Sequence, residues 1–78
     1  MKIFVFTNVL ADYASGIAMI AAENLEQAQQ LAFEKFEEGA DSLEYFLSLE
    51  PGFREADAIY ETTSVTEAKV LHHLYGSC

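Results

Sequence analysis

Two short apolar runs open the chain, and neither alternates polar with apolar side chains. The first is Ile3-Phe4-Val5-Phe6-Thr7 and the second is Ile17-Ala18-Met19-Ile20-Ala21-Ala22. Their β-branched and aromatic content reads as two strands, and strands without alternation look buried on both faces. They are predicted to pair as an antiparallel hairpin at the centre of a sheet, joined by a loop over residues 8–15 that holds Asp12 and Tyr13. With 78 residues there is material for one domain, 1–78, and one core. A chain of this size buries only about 60% of the surface that its unfolded form exposes. Two short helices cover one side of such a sheet. The other side then needs a dimer partner, the C-terminal segment folded across it, or a binding target.

The first helix is the clearest element. Asn24 is placed to accept a bond from an unpaired first-turn amide, and Gln27 completes a capping-box-like pair. Gly39 supplies the stop. Between them Leu25, Ala28, Leu31, Ala32 and Phe36 recur at helical spacing, while Glu26, Gln30, Glu34, Glu37 and Glu38 fall on the other side. Asp41-Ser42-Leu43-Glu44 repeats the capping logic and starts a shorter helix with Phe46 and Leu47, which Pro51-Gly52 ends. A third strand is predicted over residues 58–63. Residues 69–75 fit either a strand closing a second hairpin with it or a terminal helix capped by Ser64-Val65-Thr66-Glu67, because short apolar runs suit both periods. The expected fold is α+β: a small antiparallel sheet of three to four strands packed by two helices, in the order β-β-α-α-β followed by a strand or helix.

Charge narrows the function classes. Thirteen Asp and Glu stand against four Lys and Arg, for a net charge of −9. Phosphate backbones are met with Lys and Arg, so nucleic acid is not an expected ligand, and anionic membranes are not an expected surface. A basic partner is favoured, and so is plain solubility. Eleven of the thirteen acids lie between Glu23 and Glu61, beside only Lys35 and Arg54, so the charge gathers on the helical half and the strand after it.

No motif for catalysis, cofactor or metal stands out. Neighbouring His72 and His73 point to opposite faces of a strand, or about 100° apart on a helix, and do not converge on one ion. Cys78, the one cysteine, has no positioned base for nucleophilic work. Its solitude excludes an internal disulfide and suits a reducing compartment. The glycines at 16, 39, 52 and 76 make no phosphate loop. Thr7, Asn8 and Asp12 interrupt the stretch that otherwise looks like a leader, and no run reaches the length of a membrane span. A non-enzymatic, cofactor-free cytoplasmic protein is expected.

The run from Gly16 through Ala32, a strand ending in small residues followed by a polar cap and a Glu-Gln-Ala helix, resembles short phage and prophage proteins. In size, acidity and lack of catalytic residues the chain is similar to anti-CRISPR proteins, some of which present carboxylates where phosphates would sit. That resemblance implies an inhibitor in the cytoplasm of a host bacterium, docked on the basic nucleic-acid channel of a CRISPR effector complex. The candidate partner-binding residues are Glu26, Glu34, Glu37, Glu38, Asp41 and Glu44, with Tyr45 as an apolar anchor. The alternative is a structural or assembly module that acts as a small homodimer, its acids serving solubility alone.

Overall fold

A computed structural model describes residues 1–10 and 16–76. Asp12, Tyr13 and Cys78 lie outside the described residues. Four strands, β1 (Lys2–Val9), β2 (Gly16–Ala22), β3 (Ala58–Glu61) and β4 (Lys69–Leu74), form one sheet in the order β3-β1-β2-β4. All three pairings are antiparallel. Helices α1 (Leu25–Phe36) and α2 (Leu43–Leu49) and a single 3-10 turn at Pro51–Arg54 pack against one face. The fold class read from the sequence holds, with β1 and β2 at the centre.

The local signals act largely as the sequence suggests. The Asn24 side chain accepts from the Gln27 amide at 2.8 Å, and the Gln27 side chain accepts from the Glu23 amide at 2.7 Å. Ser42 caps α2, its hydroxyl accepting from the Tyr45 amide at 3.2 Å. The closing strand pairs with β2 and not with β3. Ile20 faces Val70, Ala18 faces His73, and a one-residue irregularity follows Met19. The reason lies in the centre of the sheet: β2 is apolar on both faces and has a free edge once β1 pairs with β3. Strand β4 fills that edge and lays Val70 against the core beneath α1.

Register sorts the side chains. Phe4, Phe6, Ala18 and Ile20 face the helices and are buried with Ala28, Ala32, Phe36, Phe46, Leu47 and Phe53. Phe46 and Phe53 are therefore core, and Tyr45 is half exposed.

The segment after α2 runs antiparallel along β1 from its end to its start. Glu50 bonds Leu10, the 3-10 turn packs Phe53 on Phe6, and Asp57 donates its amide to the Val5 carbonyl at 2.8 Å. Strand β3 then continues the pairing down to Lys2 and Glu61.

Candidate functional site

The acidic residues singled out from the sequence occupy the helix layer, on the side turned away from the sheet. Glu26, Gln30 and Glu34 are spaced four apart along α1 and form one exposed ridge. The Gln30 amide donates to the Glu34 carboxylate at 3.1 Å and holds it along that ridge. Glu37, Glu38 and Asp41 follow in the turn between the helices, and Glu44 and Tyr45 open α2. All seven are solvent-exposed. Lys35 and Lys69 bound this surface, where with Leu31, Glu34, Ala68 and Val70 they line an open groove of about 330 Å³ between α1 and the start of β4.

Glu38 differs from the other six. The chain leaves α1 through three consecutive residues of positive φ: Glu37 at 50°, Glu38 at 51° and Gly39 at 76°. Glu37 adopts a tight γ-turn shape, with the Glu38 amide donating to the Phe36 carbonyl at 2.5 Å. Such a backbone is costly for residues with a Cβ, and it persists because surrounding structure holds it. Here the Glu38 carboxyl is hydrogen-bonded to that of Glu50.

Glu50 is the buried acid of the described residues, and its Oε1 accepts from the Leu10 amide at 3.0 Å. Leu10 is itself left-handed, at φ 53°, where β1 ends. Partial desolvation, the bond to Glu50 and repulsion by its charge push the Glu38 carboxyl from its ordinary 4.5 up to about 7. Near neutral pH Glu38 thus keeps its proton for much of the time and offers a partner less charge than an ordinary carboxylate does.

Asp57 moves the other way. Its Oδ2 accepts from the Thr7 amide at 2.6 Å and from the Thr7 hydroxyl at 2.9 Å, which holds its carboxyl below the ordinary 3.8. Stability from the raised Glu38 is complete below about pH 4.5 and is lost as pH rises through about 7; stability from Asp57 is present above 3.8 and is lost on acidification. Folding stability from urea unfolding is therefore expected to be higher near pH 5.5 than near pH 8.5, by about 1 kcal/mol once solvent screening of the largely exposed Glu38 is discounted. Glu38→Gln should remove that difference. A wild-type stability that is flat over this interval, or a slope unchanged in the variant, would refute the raised Glu38 carboxyl.

Sequence reading missed Glu50 and Asp57 as structural acids. A signal for Glu50 was present: Leu43, Phe46, Leu47 and Glu50 follow the spacing of one helical stripe, so a carboxylate stands in an apolar row. Asp57 carried no such mark, because its partner lies fifty residues away.

His72 and His73 alternate across β4, with His73 edge-on to Phe36 at 5.2 Å on the helix side and His72 opposite Met19 on the other face. Among the described residues no group of three or more His, Cys, Asp and Glu could hold a metal ion, and no helix is long and apolar enough to cross a membrane. No protein-family model matches this chain, and none of the curated proteins or solved structures compared with it is similar to it.

Proposed function

We propose that the chain is a non-enzymatic inhibitor that docks its acidic helix layer on a basic protein surface built to hold nucleic acid. The observation that carries this reading is the exposure of Glu26, Glu34, Glu37, Asp41 and Glu44 along the helix layer, with the half-exposed ring of Tyr45 next to Glu44 in α2. Exposed carboxylates on two helices and the turn between them present charge to a Lys/Arg-lined channel much as phosphates do. Such complementarity speeds encounter and weakens as salt rises. Among proteins that work this way, the chain's size and acidity best fit the anti-CRISPR class, with the DNA- or RNA-binding channel of an effector complex as the target. Catalysis has no part in this reading. The groove beside α1 is open to water, whereas acid–base chemistry favours a closed site.

The test is the double reversal Glu34→Lys with Glu37→Lys. Both side chains are exposed, so stability should stay within about 0.5 kcal/mol per site. Inhibition of DNA binding by an effector complex, read by gel shift, should be abolished, and capture of that complex on the wild-type protein should release along a rising salt gradient. If the reversed protein inhibits as well as the wild type, the acidic layer is not the docking surface.

A further inference from the structure

The helices cover one face of the sheet, and no described element packs against the other. By register that open face carries Ile3 and Val5 from β1, Ile17 and Met19 from β2, Tyr60 from β3 and Leu74 from β4. These side chains are only partly covered, and Tyr60 and Leu74 are 59% and 57% exposed. Ala21 lies on the same face, buried by its neighbours yet outside the core cluster on the helix side.

We infer that this face is the interface of a homodimer, in which two copies of the chain pack sheet against sheet with their helices outward.

Charge selects the orientation and suits a second copy. In a chain of net charge −9, most surfaces would set carboxylate against carboxylate if two copies met. The open face does not. Among the described residues its ionisable groups are Lys69 and His72 on β4 and the Tyr60 phenol on β3, and Asp57, a carboxylate beside β1, is engaged by Thr7. A basic partner, which the acidic layer favours, finds nothing to pair with here.

Size sets how tight that pairing is. Four strands spaced by about 4.8 Å make a face about 19 Å wide, and six residues of strand give it about 20 Å of length. Covering it on both copies hides about 760 Å² of projected face, below the roughly 1,200 Å² of stable specific interfaces, so the pair is a weak one that forms as concentration rises. Twisted antiparallel sheets meet about 10 Å apart at about −30°, with side chains interdigitated. A two-layer domain only 17 Å across its thinnest dimension becomes a four-layer α/β/β/α assembly. The two acidic layers then point in opposite directions, and one dimer can engage two basic surfaces.

The test is the mass of the full chain in solution, by light scattering from micromolar to near-millimolar concentration. Twice 8.7 kDa is expected, with association strengthened by salt because the copies repel. That salt dependence is opposite in sign to docking through the acidic layer, so the two ideas fail separately. Leu74→Lys and Tyr60→Lys, at positions exposed in a single copy, should keep the circular-dichroism spectrum and raise the dimer dissociation constant at least about tenfold. A chain that is monomeric at every concentration overturns the inference and leaves the face to a different protein. A dimer that both lysine variants leave intact overturns it as well.

Discussion

Truncating Phe53 to alanine is expected to cost about 3–5 kcal/mol of folding stability, through the cavity that the ring leaves. Phe53 is fully buried, with ring centroids 4.9 Å from Phe6, 5.5 Å from Phe46 and 6.1 Å from Phe36. One side chain thus joins β1, α1 and α2, and its removal loosens all three at once. Backbone bonds pin the same residue: the Phe53 amide donates to the Glu50 carbonyl at 3.1 Å, and the Gln29 side chain donates to the Phe53 carbonyl at 2.9 Å. With the backbone held, the site cannot collapse easily, which favours the upper part of the range. A domain of 78 residues holds only about 4–12 kcal/mol in total. The variant should therefore unfold at low urea with an unchanged m-value. Phe53→Leu, which fills most of the volume, should cost less than about 1.5 kcal/mol. A loss below about 1 kcal/mol for the alanine variant would mean that the aromatic cluster repacks freely and does not organise the domain.

The helices were legible because their signals are local. Asn24 and Gln27 cap a turn within a few residues of themselves, and the stripe from Leu25 to Phe36 needs no knowledge of the rest of the chain. The two-faced apolar character of β1 and β2 was equally plain, but only the face under the helices is packed, and Ile3, Val5, Ile17 and Met19 on the other are half-buried where burial was expected. Pairing was harder. Whether residues 69–75 form a strand, and against which edge, depends on the free edge of β2 about fifty residues earlier. The β3 partner of β1 and the bond from Leu10 to Glu50 likewise span forty residues or more. The acidic surface was legible as a composition, since exposed carboxylates on a helix follow from its period. What the period did not reveal was the left-handed run from Glu37 to Gly39, in which Glu38 bonds the buried Glu50 and gives up part of its charge.

Gly52→Ala should destabilise the chain by about 3 kcal/mol or more, because the added methyl has nowhere to go. A Cβ at this position would fall on the carbonyl oxygen of Asn8, and within 2.8 Å of both the Asn8 carbonyl carbon and Val9 Cγ1. Backbone cannot swing aside as a flexible side chain does, so either β1 or the 3-10 turn must move. Neither is free. The turn is held through Glu50 to Leu10 on one side and through Phe53 to Phe6 on the other. Gly39→Ala is the control that separates space from conformation. Gly39 has φ 76°, and a Cβ added there would meet nothing within 4 Å, so alanine faces strain alone, at about 1 kcal/mol. Urea midpoints of the two variants should fall well apart, with Gly52→Ala the weaker protein. If Gly39→Ala proved the more damaging, the close approach of the turn to β1 would have to be soft, and a helix-stopping role would suffice for Pro51-Gly52. The larger loss at Gly52 would instead show that this glycine lets the segment leading to β3 lie against β1, bringing Glu50 to Leu10 and Phe53 into the core.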